Sequence, residues 1–185
     1  MKILVNPPRV VGTLDHAQAS ALISYDPETG QLTWLPRPVR PASRKQDTIW
    51  NAKYSGKSAG RLNHGYVNIS IDRRIYLGHR LAWLLYHGRW PLQYIDHINC
   101  NPSDNRIVNL REASHHENMC NSRNRNKKLL KGVTLASHNV SRPFQAQIRV
   151  HRKNAYLGCF TTQEEAHAAY CEAAWKHHGE FARTS

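Results

Sequence analysis

Long hydrophobic runs are missing from this chain. No stretch approaches 18 apolar residues, so no membrane-spanning helix is expected. The opening MKILVNPPRV has only a short apolar stretch, broken by Pro7-Pro8, and does not read as a secretory signal. Paired cysteines are missing too. Cys100, Cys120, Cys159 and Cys171 form no C-x-x-C, which argues against structural zinc and against a disulfide scaffold, and favours unpaired thiols in a reducing cytoplasm. Acids are scarce: 13 Asp and Glu stand against 26 Lys and Arg, a net charge of +13 over 185 residues. That surplus points to an extended anionic partner, with a membrane surface as the weaker alternative. The length allows one domain or two or three small ones.

What is present begins with residues 15–23, a short helix capped by Asp15. Tyr25 to Leu32 reads as a turn between short extended pieces, with Gly30 where positive φ is needed. Residues 35–64 are basic, rich in Pro, Ser and Gly, and show no period, so an irregular segment is expected. Arg37, Arg40, Arg44, Lys45, Lys53, Lys57 and Arg61 are candidate phosphate contacts. Val67, Ile69 and Ile71 alternate with polar residues, as in a half-buried strand. Asp72-Arg73-Arg74 turns it and Ile75-Tyr76-Leu77 returns. His79 to Gly88 predicts a short helix with a Leu81, Leu84, Leu85 stripe, stopped by Gly88. His79 reads as a satisfied histidine at a helix start, with an extra catalytic group as the other reading.

Residues 94–118 organise the rest. Tyr94–Ile98 and Ile107–Ala113 are two short extended segments around a polar loop, and Ser114-x-x-Glu117 has capping-box spacing for a helix. Asp96 and His97 are adjacent, so on a strand they point to opposite faces. That division suits Asp96 turned toward the helix as an oxygen ligand for a hard cation, and His97 as a base near a water. Asn118 would supply a second, neutral oxygen, a set that suits magnesium or manganese. The same dipeptide also fits a packed histidine beside a turn aspartate.

Asp96-His97-Ile98-Asn99, Asn105, Asn109-Leu110-Arg111 and Glu117-Asn118 resemble the His-Asn-His (HNH) endonuclease motif, the ββα-metal finger, in its phage and intron homing form. The resemblance implies His97 as general base, Asp96 and Asn118 as ligands to one Mg2+ or Mn2+, and Asn109 as the residue that ties the loop and orients the base. His115 and His116 are rival ligands. Asn99-Cys100 replaces the usual Asp-Gly, a departure that bears on loop shape. The implied reaction is hydrolysis of a DNA phosphodiester to a 5′-phosphate and a 3′-hydroxyl, falling off below about pH 6 as the imidazole protonates.

Past Asn118, Arg123, Arg125, Lys127, Lys128 and Lys131 crowd a stretch without acids, as a linker along a phosphate backbone would. Residues 132–160 predict three strands, and Gln163–His178 a helix capped by Thr161 with Glu164 or Thr162 with Glu165. Phe144, Ala146, Ile148 and Val150 share the face that this helix covers, and Gln145, Gln147 and Arg149 the other. Gln and Arg side chains have the chemistry to read base edges. This stretch, through His178-Gly179-Glu180-Phe181, resembles the plant ethylene-response-factor (APETALA-type) DNA-binding domain. That implies a sheet in the major groove, with Gln145, Gln147, Arg149, Arg152 and Lys153 facing DNA.

The expectation is therefore an α+β chain. Residues 1–93 form a basic β/α region supporting the nuclease core, 94–122 the ββα-metal motif, 123–131 a basic linker, and 132–185 a three-stranded antiparallel sheet packed on one helix. The function expected is a cytoplasmic, phage-type homing endonuclease acting on double-stranded DNA, as a monomer or weak dimer. The alternative is a non-enzymatic DNA-binding or regulatory protein with a degenerate nuclease fold.

Overall fold

A computed structural model describes residues 14–121, 124, 128–137, 141–150 and 153–184. Among these the fold is α+β, as expected, with four small antiparallel sheets and five α-helices. The chain divides into two units, Met1–Ser114 and His115–Ser185.

In the first unit, α1 (His16–Ser20) starts from a capping box: Gln18 N–H donates to Asp15 at 2.8 Å and the Gln18 side chain accepts from Asp15 N–H at 3.0 Å. β1 (Ile23–Tyr25) pairs with β2 (Leu32–Trp34). Gly30 closes their turn at φ +74°, where a Cβ would sit 2.5 Å from the Arg106 nitrogen and 2.7 Å from the Asn105 carbonyl carbon. Glycine is needed there for conformation and for close approach alike.

The segment expected to be irregular contains a helix, α2 (Arg44–Tyr54). Asp47 anchors its start, accepting from Ser43 Oγ at 2.6 Å and from Arg40 at 3.1 Å. Trp50 stands edge-on to Trp34, ring centroids 5.4 Å apart, and Arg37 lies 3.8 Å over its ring. These contacts cross the sequence, so no local period announces the helix. They also give Arg37 and Arg40 structural partners.

β3 (Arg61–Asn63), β4 (Tyr66–Ile71) and β5 (Arg74–Leu77) form a sheet in that order. Asp72 and Arg73 both take positive φ, +48° and +63°, in the two-residue turn between β4 and β5. α3 (Gly78–His87) ends at Gly88 with φ +72°. Ile23, Ile69, Ile71, Leu81 and Leu84 are the largest fully buried side chains, so the expected strand and helix stripes are the core. β6 (Tyr94–His97) pairs with β7 (Leu110–Ala113), and Ile95 and Leu110 pack on Ala82 and Trp83 of α3. The second segment of the motif starts later than expected, because Ile107–Asn109 is a 3-10 turn.

In the second unit, α4 (His115–Cys120) is followed by β8 (Val133–Leu135), β9 (Phe144–Val150) and β10 (Lys153–Phe160), ordered β10-β9-β8. α5 (Gln163–His178) opens with the Thr162–Glu165 capping box and ends at Gly179. Ala146 and Ile148 meet Ala166, Tyr170, Ala173 and Ala174 of α5 in the cores of this unit. Small residues let helix and sheet approach closely. Gly132, at φ +80°, lies against the Tyr170 ring where a Cβ would collide.

Candidate active site

Residues on opposite faces of β6 do different work. Ile95 and His97 face α3, whose His79 and Trp83 lie one turn apart. The His97 and His79 rings meet edge to face with centroids 5.0 Å apart, and Tyr66 of β4 closes over both, at 6.2 and 5.6 Å. Both histidines are buried. Asp96 looks the other way, toward its cross-strand partner Arg111, which donates to Asp96 Oδ2 through Nε at 3.0 Å and Nη2 at 2.9 Å. Asp96 is 4% exposed, so a buried carboxylate and a guanidinium compensate each other.

The loop between the strands is held by Asn109. Its Oδ1 accepts from Asn99 N–H at 2.9 Å, its Nδ2 donates to the Asp104 carbonyl at 2.8 Å, and its own carbonyl accepts from Ile98 N–H at 2.9 Å. Asp104 sits between Arg106 and Asn99; the Arg106 guanidinium above all holds its carboxyl down to about 2. The β1–β2 turn buttresses the loop from outside. Tyr25 Oη donates to the Asn105 carbonyl at 2.8 Å, and Ile107 N–H to the Pro27 carbonyl at 3.1 Å. Asn105 is itself buried, on the loop that follows His97.

Burial lowers the His97 pKa below the ordinary histidine value. The Asn105 amide and the charges of Asp96 and Asp104 oppose this without cancelling it. His79 is pushed down further, by burial first and then by His97 and Arg80. At neutral pH both rings are therefore neutral, the state in which an imidazole can take a proton.

A family model for HNH endonuclease matches residues 76–120. Those residues are similar to an HNH endonuclease domain. The match runs from the end of β5 to the end of α4 and takes in Asp96, His97, Asn109 and Asn118. The HNH domain supports a nuclease function with DNA as substrate. No curated protein and no solved structure matches the chain.

Of the residues expected in the HNH site, Asp96, His97 and Asn109 lie in the first unit as neighbours along one β-hairpin. Asn118 lies half-buried on α4 in the second unit. Arg123, Arg125, Lys127 and Arg152 fall outside the described residues. Lys128 is exposed. Gln145, Gln147 and Arg149 line one face of β9, opposite Cys159, Tyr156 and Asn154 of β10 in register. Arg149 is exposed and the two glutamines half-buried. Lys153 pairs with Val150 at the hairpin end and so lies outside that row.

Arg111, Tyr66 and Tyr156 were not expected near these residues, and His79 only in its alternative reading as an extra catalytic group. Arg111 was read only as part of the motif, although its register opposite Asp96 follows from pairing the two strands. Tyr66 and His79 reach His97 through tertiary packing, and for His79 the spacing to Leu81 and Leu84 gave no reason to prefer a site. Tyr156, 63% exposed, adds an aromatic ring to the Gln/Gln/Arg row; its signal was alternation along the returning strand.

Proposed function

We propose that this chain is a site-preferring homing-type endonuclease that cuts double-stranded DNA with His97 as general base and a divalent cation as cofactor. The observation that carries this reading is a buried histidine held neutral, one residue from a buried aspartate, within the HNH match. Neutral His97 accepts a proton from water, the water oxygen bonds to phosphorus, and the bond from phosphorus to the 3′-oxygen breaks. The 3′-oxygen takes a proton from solvent, leaving a 5′-phosphate and a 3′-hydroxyl. Asn109 positions the base by fixing the loop that follows it. His79 and Tyr66 keep the imidazole dry and restrict its rotation.

The Asp96 carboxylate is a hard oxygen ligand of the kind a magnesium-type ion takes, and by the HNH resemblance the Asn118 amide would be the second, leaving positions for water and phosphate. When bound, such a cation supplies charge stabilisation to the phosphate and the leaving oxygen. In the second unit, the Gln145, Gln147, Arg149 and Tyr156 face would read the duplex in the manner of the ethylene-response-factor domains it resembles.

Magnesium-dependent nicking of plasmid DNA tests the proposal. Wild-type protein should cut, and Asp96→Ala should fail even with several-fold more metal; full rescue by added metal would argue against direct ligation. The Asp96–Arg111 pair favours a second reading, because it satisfies the carboxylate without an ion, as in a DNA-binding protein that has lost catalysis. Under that reading the wild type binds DNA and leaves it intact.

A further inference from the structure

We propose that His116, Cys120 and His178 form a binding site for zinc or a similar borderline-soft divalent cation, separate from the nuclease cation. The three residues lie within the C-terminal unit. His116 and Cys120 are one helical turn apart on α4, and His178 is the last residue of α5. Their ligand atoms all lie within 4.8 Å of one another. The Cys120 Sγ is 3.9 Å from His116 Nε2, and the two histidine rings have centroids 5.9 Å apart.

Around a tetrahedral zinc, with bonds of roughly 2.0 to 2.3 Å, donor atoms stand about 3.3 to 3.8 Å apart. Closure of roughly 1 Å by side-chain rotation makes the site. Two imidazoles and a thiolate select zinc over magnesium, and the fourth position takes water. Lys131 stands beside the site, its Nζ donating to the Cys120 carbonyl at 3.1 Å.

A helical His/Cys pair is not enough. His167 and Cys171 repeat the spacing on α5, with Nε2 and Sγ 3.4 Å apart. Among the described residues only the first pair gains a third ligand.

The site has a structural use. A six-residue helix cannot hold itself together in water, so α4 needs anchoring. A metal joining one face of α4 to the end of α5 supplies it. Asn118 projects from the opposite face, roughly 160° from both ligands at about 100° per residue. The zinc would therefore hold α4 while leaving the Asn118 side chain free of the zinc on the helix's other face.

The test is metal titration of the full-length protein after chelator treatment and dialysis. Zinc should bind at one equivalent and raise the melting temperature, and cobalt should give a thiolate-to-metal charge-transfer absorption. Cys120→Ser and His178→Gln should each weaken zinc binding at least ~10-fold and remove or diminish that absorption. Cys171→Ser and Asp96→Ala should keep it. Absence of zinc binding and of any thermal shift in the wild type would overturn the site, whatever the variants' folding. So would cobalt–thiolate absorption surviving in folded Cys120→Ser. Loss of nicking in Asp96→Ala alongside normal zinc binding would separate the two metals; loss of zinc binding in that variant would overturn their separation.

Discussion

The surroundings of His97 set its chemistry in opposite directions. Burial beside His79 favours the neutral ring, while Asp96, Asp104 and Asn105 favour the charged one, and burial wins. The acidic limb of kcat/KM should therefore lie below the ordinary histidine value near 6.5, further into acid than the sequence implied. A limb at or above 6.5 would contradict the assignment. Stability follows the same sign. The unfolded chain takes up protons near pH 6.5 while folded His79 and His97 resist them, so their contribution is complete above 6.5 and is lost as pH falls below it. The slope is up to about 1.4 kcal/mol per pH unit for each histidine. Trp34, Trp50, Trp83 and Trp90 all lie in the first unit, so tryptophan-detected unfolding between pH 7 and 5 should show the loss. In His79→Gln the slope should be shallower; an unchanged slope would mean His79 protonates freely in the folded state.

At the scale of elements, Asn109 and Gly30 hold the loop between β6 and β7 from two sides. Asn109→Ala removes two side-chain hydrogen bonds from a buried position and should cost about 1 to 3 kcal/mol, with a fall in kcat larger than any change in DNA affinity. Equal loss of both would make Asn109 a DNA contact and not a positioning residue. Gly30→Ala should cost at least ~1 kcal/mol, measured by urea denaturation, because the left-handed backbone and the Asn105–Arg106 backbone both exclude a methyl group. A neutral result would mean that the turn is free to move. The elements the sequence predicted well are those whose cause is local: the Thr162–Glu165 box of α5, the alternation of β4 and β9, the Gly88 stop of α3. Helix α2 was missed because its anchors, Trp34, Arg37 and Arg40, lie outside it. The Asp96–His97 pair was legible from its dipeptide and the family motif. Its enclosure by His79 and Tyr66 was not, since packing of α3 and β4 brings those rings in. The His116–Cys120–His178 cluster was illegible for the same reason, its third ligand being contributed by the far end of α5.

No described helix is long and apolar enough to cross a membrane. The net +13 should make DNA affinity fall by about a thousandfold between 50 and 200 mM salt, as expected for six or more phosphate contacts. A nearly salt-independent affinity would remove the electrostatic account of binding. Replacing Gln145, Gln147 and Arg149 together by Ala should flatten preference among DNA sequences while cleavage of a generic plasmid continues. Retained preference would place the reader elsewhere.

The most direct measurement of the central claim is magnesium-dependent plasmid cleavage by His97→Ala beside wild-type protein, with DNA binding measured on the same samples. A neutral imidazole that takes the proton from water predicts cutting by the wild type, and in the variant a loss of at least ~100-fold with binding intact. Cleavage by His97→Ala at the wild-type rate would contradict it.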